Sequence, residues 1–397
     1  MQIMMKSLYQ WVSRSSKYRN SSFNRLKLRL RMVFKGCLAL VASKNQIIEP
    51  VICDVLLVHP SLKSYQQGRK KTFIQMLKDA GLTVEEYVEK KDRDTFLNRE
   101  FFPLRKVPFV FKWEAYHANY ILKKYQAKVI LTERNGWVIP SFIKKIRQQN
   151  SIVIHLAHSV VTEQSSKYEY YDYDFYFLYG ESSFEYLSTL ANSYGACRVA
   201  FKGPYFFYDD RKYNKSKDAT KNITFLCSGP DFEMLAAYVE MCGWVKKLIE
   251  LNNINKLYIK CHPRGDNKQW VEFSQEYLGR VEIVESLSLS DSLDHSKYAV
   301  MGYTNAIVDA AYYGIPIIML GDSLDFFNIN KFALPWAKNY EELVKYIEAE
   351  SAESQVEFAR YHIYEDGRAV PALVNAIKDV VQFGHSASIS NRELNNG

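Results

Sequence analysis

"KVILTERNGWVIPSFIKKIRQQNSIVIHLAH", residues 128–158, decides the fold. "KVILTE" is a short apolar strand pattern, "VIPSFIKKIRQQN" has the spacing of a helix, and "SIVIHLAH" is a second strand pattern. A strand, a helix and a strand joined by short loops imply a parallel pair with a right-handed crossover.

The same alternation extends in both directions. Upstream, "VICDVLLVHP" (51–60) is a strand ending at His59-Pro60, "GRKKTFIQMLKDAGL" (68–82) a helix closed by Gly81, and "WEAYHANYILKKYQA" (113–127) another helix. "LTVEEYVE" (82–89) fits a strand or the start of a helix. The polar stretch 208–222, "YDDRKYNKSKDATKN", is the best linker in the chain. Beyond it the pattern restarts with "ITFLCSGP" (223–230), a long helix over 231–251, "KLYIKCHP" (256–263), "VEIVE" (281–285), "YAVMGY" (298–303), the helix "TNAIVDAAYYG" (304–314) and "IPIIML" (315–320). The expectation is an α/β chain of two Rossmann-like, doubly wound domains facing a central crevice. Ligands of such sheets sit beyond the carboxyl ends of the strands. The expected boundaries are a basic N-terminal arm at 1–48, a first domain at 49–207, the linker at 208–222, a second domain at 223–380 and a polar tail at 381–397.

At 397 residues, 47% hydrophobic and 24% charged, the chain can bury two ordinary cores. Its net charge of +8 is concentrated: residues 1–48 contain no Asp or Glu, but do contain Arg25, Lys27, Arg29, Arg31 and Lys35 among other cations. A nucleic-acid binder would carry its basic residues in the folded body, so no nucleic-acid partner is expected. Within 23–42, Phe23, Leu26, Leu30, Val33, Cys37 and Val41 form one helical stripe beside basic residues, which suits a helix lying on an anionic membrane surface. The alternatives are an N-terminal helix packed on the protein, or an Arg- and Ser-rich transit peptide. The six cysteines lack metal-site spacing and fit reduced thiols in a cytosolic protein, and no apolar run is long enough to span a bilayer.

Three strand ends of the second domain carry phosphate-friendly groups. Ser228-Gly229 follow the first strand, and a glycine there lets a phosphate approach the backbone. Lys260, His262 and Arg264 surround Pro263 at the end of another strand, where proline stops the ladder and a guanidinium can grip phosphate. Thr304-Asn305 stand where a third strand turns into a helix, with Asp309 further along it. Two of them have a plainer reading: His262 as a strand cap and Thr304 as an N-cap of about 1 kcal/mol. The Arg264-Gly265-Asp266 tripeptide does not fit an adhesion role in a chain with a cytosolic cysteine pattern. In the first domain, Glu133 and His158 end two strands and are the candidate bases for activating a hydroxyl acceptor. Asp172-Tyr173-Asp174 has the D-x-D form that holds a metal in another transferase class, but lies in a tyrosine-rich strand pattern, so no metal site is expected.

Taken together, the S-G, K-x-H-P-R and T-N-x-x-x-D stretches before "GIPII", followed by "YEDGRAVPALVNAI", resemble the donor lobe of bacterial GT-B transferases. The resemblance is to the CDP-glycerol glycerophosphotransferases and to the capsule transferases using CMP-activated sialic acid or Kdo, and covers roughly residues 125–380. It implies that His262 and Thr304 contact the nucleotide phosphate and that His158 occupies the catalytic position. His158-Ser159 stand where the family usually has His-Gly. The implied function is metal- and cofactor-independent transfer of a sugar or polyol phosphate from a CMP- or CDP-activated donor to a glycan or lipid-linked acceptor. The setting would be bacterial surface polysaccharide synthesis on the inner face of the cell membrane. The alternatives are a nucleotide-sugar epimerase of the same fold and a non-catalytic capsule-associated sugar-binding protein.

Overall fold

The computed structural model describes residues 2–14, 21–44, 47–147, 151–161, 167–206, 222–285, 289–321, 325, 327–349, 355–363, 369–389 and 392–396. The chain divides into two compact units, Met1–Tyr208 with Tyr364–Gly397, and Asp209–Ile363. The expected linker lies outside the described residues up to Asn222, which opens a strand.

The first unit contains α1 (Gln2–Arg14), α2 (Ser22–Ala42), β1 (Val51–His59), α3 (Leu62–Gln66), α4 (Lys71–Asp79), β2 (Val84–Val88), α5 (Asp92–Leu97), α6 (Lys112–Lys124), β3 (Tyr125–Thr132), α7 (Ile139–Ile146), β4 (Ile152–Leu156), β5 (Phe175–Leu178), α8 (Glu181–Ser188) and β6 (Gly195–Phe201). The second contains β7 (Asn222–Leu226), α9 (Pro230–Glu233), α10 (Ala236–Lys247), β8 (Lys256–Lys260), α11 (Lys268–Glu276), β9 (Val281–Ile283), α12 (Leu289–Leu293), β10 (Tyr298–Met301), α13 (Ala306–Tyr312), β11 (Ile317–Leu320), β12 (Trp336–Ala337), α14 (Tyr340–Ala349) and α15 (Gln355–His362). The chain then returns to the first unit with α16 (Ala369–Phe383) and β13 (Arg392–Asn396).

The first sheet has the order β13-β6-β5-β4-β3-β1-β2 and the second β12-β11-β10-β7-β8-β9. Every named pairing is parallel except β13 against β6. The central strands β4 and β10 are buried at every position and largely apolar, as parallel strands covered on both faces are. The helix expected over 113–127 stops at Lys124, since Tyr125 already pairs with Val51 as the first residue of β3.

Two expected boundaries move. The sequence pattern carries the second domain to residue 380, but α16 belongs to the first unit. Its Val370, Leu373, Ile377 and Val380 are buried with Val55 and Leu57 of β1 and Phe73 and Leu77 of α4. Burying each such side chain contributes about 1.5–3 kcal/mol, which ties the segment to this core. The expected polar tail is structured at its end: "RELNN" forms the edge strand β13, anchored by buried Leu394.

Helix α2 packs one face on the protein, as one of the three readings of the N-terminal segment expects. Ser21 caps it by accepting from the Phe23 N–H at 3.1 Å. Leu28, Met32, Gly36, Ala39 and Ala42 face the protein, and Ala39 and Ala42 join a cluster with Phe101, Trp113 and Tyr116. A side chain at Gly36 would fall 2.6 Å from the Phe109 carbonyl oxygen, so glycine permits this close approach. The opposite face carries the predicted stripe, and it is exposed: Phe23 71%, Leu26 54%, Leu30 61%, Val33 41% and Val41 59%, with Cys37 exposed too and Phe34 (63%) beside them. The helix therefore packs on the protein and still presents an apolar, basic-edged face to solvent.

Candidate functional site

In the second unit the three strand ends picked out in the sequence belong to neighbouring strands, β8, β7 and β10. Leu226 is in register with both Lys260 and Met301, so the strands finish level and their loops emerge side by side. The Cys227 N–H extends the ladder to the Lys260 carbonyl at 3.0 Å. The His262 ring then lies against Gly229, where an added Cβ would stand 3.4 Å from Cε1 and Nε2. The Arg264 N–H donates to His262 Nδ1 at 3.2 Å, which assigns the ring's own proton to Nε2. His262 and Lys260 are half-buried and Arg264 is exposed.

Two polar atoms at this end of the sheet are buried and lack a hydrogen-bond partner among the described residues: Ser228 Oγ and Asn305 Oδ1. Ser228 is fully buried, its N–H donating to Tyr238 Oη at 3.0 Å, and its hydroxyl lies 3.6 Å from where a Cβ on Gly302 would stand. Leaving such a group unsatisfied costs about 1–3 kcal/mol, so a site tolerating two of them is one where a polar ligand or water completes the bonding. Asn305 rather than Thr304 precedes the first residue of α13, while Thr304 Oγ1 accepts weakly from the Ala306 N–H at 3.4 Å. Asp309 is half-buried on α13, and burial pushes its carboxyl up to about 7.

In the first unit, β1, β3 and β4 are also neighbours, and their carboxyl ends carry His59, Glu133 and His158. Glu133 is buried, and both of its oxygens are occupied. Oε1 accepts from Lys70 Nζ at 2.6 Å and Ser64 Oγ at 3.3 Å, and Oε2 from Tyr205 Oη at 2.8 Å. Burial would raise the carboxyl pKa, but the Lys70 ammonium and these hydrogen bonds outweigh it and hold the group below the usual carboxylate range. Glu133 is thus an ionised anchor in an ion-pair network. His158 reaches solvent, yet the protein packed around it lowers its pKa; Glu133 opposes the shift, while Lys70 and Lys167 add to it. A neutral imidazole beside a carboxylate is suited to accept a proton.

Sequence reasoning missed Ser64, Lys70 and Tyr205, and gave His59 no role. His59 is buried, with Nε2 2.7 Å from Glu86 and Nδ1 unpartnered among the described residues. It lines a cavity of about 230 Å³ with Ser64, Tyr65, Gly68, Lys70 and Lys71. The available signal was the His59-Pro60 pair at a strand end, the same pattern as His262-Pro263.

The D-x-D carboxylates stand at the amino end of β5, the end of the sheet away from Glu133 and His158. Asp172 accepts from Lys144 Nζ and Ser141 Oγ, each at 2.5 Å. Asp174 accepts from Arg147 at 2.6 and 3.1 Å and from the Val153 N–H at 2.8 Å. Among the described residues no group of three or more His, Cys, Asp or Glu is arranged to hold a metal ion, and no helix is long and apolar enough to cross a membrane.

No protein-family profile matches the chain, and no curated protein matches it by sequence. Solved structures do match. The UDP complex of S. aureus MnaA is 14% identical with a TM-score of 0.55, covering 85% of this chain and all of that one. UDP-GlcNAc 2-epimerase from Neisseria meningitidis bound to UDP-GlcNAc is 12% identical with a TM-score of 0.51, covering 82% and 99%. The glycotransferase of kitacinnamycin is 12% identical with a TM-score of 0.50, covering 83% and 99%. The fold is accordingly GT-B, with two Rossmann-like units.

Proposed function

We propose that the chain is a GT-B glycosyltransferase of bacterial surface polysaccharide synthesis, transferring a sugar or polyol phosphate from a CMP- or CDP-activated donor to a glycan or lipid-linked acceptor. The observation that supports this most is the side-by-side emergence of the β7, β8 and β10 loops, with Ser228 Oγ and Asn305 Oδ1 buried there and unsatisfied. In this reading His262 Nε2–H, Lys260, Arg264 and the Thr304 hydroxyl bind the departing phosphate. The Gly229 backbone allows the close approach, and Asp309 and Asn305 accept hydroxyls of the nucleoside. His158 is the base that takes the acceptor proton, while Glu133 holds Lys70 and sets the field around that base. The leaving nucleotide is stabilised by fixed donors and cations, which act where charge develops.

The test is a mass-spectrometric screen of CMP- and CDP-activated donors against acceptor oligosaccharides. A donor-dependent mass gain on an acceptor supports the proposal, and no gain with any donor removes it. A second reading, an epimerase acting without acceptor, is favoured by the resemblance in fold to the two UDP-bound structures above. Incubation with UDP-GlcNAc alone separates the readings, since turnover without acceptor would replace transfer with epimerisation.

The exposed stripe of α2 supports attachment to an anionic membrane, where a lipid-linked acceptor resides. Phe23, Leu26, Leu30 and Phe34 would enter the interface, with Arg25, Lys27 and Arg29 contributing about 1 kcal/mol each near anionic headgroups. Substituting serine for Phe23, Leu30 and Phe34 together should abolish sedimentation with phosphatidylglycerol vesicles and leave the melting temperature unchanged, because the buried face is untouched. Full vesicle binding by the triple variant would remove the membrane role.

A further inference from the structure

A cavity of about 670 Å³ in the first unit has no part in the proposed transfer. It opens at the amino ends of β5 and β6, the end of the sheet opposite Glu133 and His158. Its walls are α1 (Ser7, Gln10, Trp11, Arg14), the last turn of α7 (Lys144, Lys145) with Arg147, and the loops carrying Asp172 and Ala191–Ala196. The volume lies within the range of about 300–1,000 Å³ typical of small-molecule sites.

The lining has a consistent chemistry. Lys144 and Arg147 are committed, to Asp172 and Asp174 respectively. Arg14 and Lys145 are exposed at the mouth, and no carboxylate among the described residues pairs with either. The entrance thus keeps two cations for a ligand anion. Gln10 and Asn192 supply exposed amide side chains, while the Ser141 hydroxyl is engaged with Asp172 and Tyr170 and the Ser193 hydroxyl with Tyr171 and the Leu190 carbonyl. Trp11 and Tyr194 add aromatic surface, both held by Tyr170, with ring centroids at 5.3 and 5.9 Å. Cations at the mouth, two exposed amide side chains and a fixed aromatic flank suit a ligand with hydroxyls, apolar ring faces and negative charge.

We propose that this cavity binds a short anionic saccharide, sugar or polyol units bearing carboxylate or phosphate. If the transferase reading holds, the ligand is a stretch of the acceptor polymer gripped away from its reacting end, and that identification rests on the proposed function. The saccharide site itself does not.

The experiment is calorimetric titration of the full chain at low salt with four probes: a sialic acid trimer, a glycerol phosphate trimer, maltotriose and inorganic phosphate. At least one anionic trimer should bind at least about tenfold tighter than maltotriose and inorganic phosphate, as expected when charge-assisted contacts add to the saccharide contacts. The double variant Arg14→Glu, Lys145→Glu should weaken that trimer by at least about tenfold and leave CDP binding unchanged. In Trp11→Phe, which keeps the contact with Tyr170, the tryptophan fluorescence change on trimer binding should disappear. The proposal is overturned if neither anionic trimer binds, if maltotriose or inorganic phosphate binds as tightly, or if the double variant binds unchanged. Trimer binding by a chain that binds no nucleotide would uphold this site and remove the transferase reading, so the two failures are distinguishable.

Discussion

Replacing Lys70 with methionine is expected to lower the unfolding free energy of the first unit by about 3–5 kcal/mol, the cost of leaving a buried charge without its partner. Lys70 and Glu133 are both buried and 2.6 Å apart, and the ammonium holds the carboxyl pKa down against burial. The sign of the pH dependence follows. In the natural chain the folded-state pKa of Glu133 is depressed. Its stabilisation is therefore present above the unfolded carboxylate value, near 4.3, and is lost as pH falls through the lower folded value. In Lys70→Met the depressing partner is gone and burial raises the same group. The deficit should then be largest at neutral pH and shrink as acid protonates Glu133. Urea unfolding of both chains at pH 7.5 and 5 measures this, and Lys70→Met, Glu133→Gln should recover part of the loss at neutral pH. A deficit that grows on acidification would show that Glu133 is not held as an ion by Lys70.

His158→Ala should reduce kcat by about 10²–10⁴, the range for removing a positioned general base, with nucleotide affinity unchanged because the residue lies in the other unit from Ser228 and His262. Burial, with Lys70 and Lys167, lowers the His158 pKa despite Glu133. The acid limb of the rate profile should accordingly fall below the ordinary imidazole value of about 6.5. Full activity in His158→Ala would move the base elsewhere in the first unit.

Much of the fold was legible because buried parallel strands write themselves as apolar runs. Val51–His59, Ile152–Leu156 and Tyr298–Met301 each stand where the sequence pattern puts them. Position within the sheet was not legible. That the loops at 227–229, 261–264 and 302–305 emerge from neighbouring strands is a property of strand order, which no local pattern encodes. The Lys70–Glu133–Tyr205 network escaped for a related reason, since its members are 63 and 72 residues apart and meet only once β1, β3 and the loop after β6 are assembled. β13 was missed because it carries little apolar signal: among residues 392–395 only Leu394 is buried. For α2 the sequence showed a stripe but not which face the protein would take. The small residues Gly36, Ala39 and Ala42 allow the close approach on the far side, which leaves the bulky stripe in solvent.

The most direct test of the account is nucleotide binding at the β7, β8 and β10 loops, followed as thermal stabilisation by CMP, CDP and UDP. A nucleotide present at a hundred times its Kd adds about 2.7 kcal/mol to the stability of the folded chain. CMP or CDP should therefore raise the melting temperature, and His262→Ala, whose ligand-free stability should change by no more than about 1 kcal/mol, should lose most of that rise. No shift with any of the three nucleotides, or an equal shift in His262→Ala, would contradict the account.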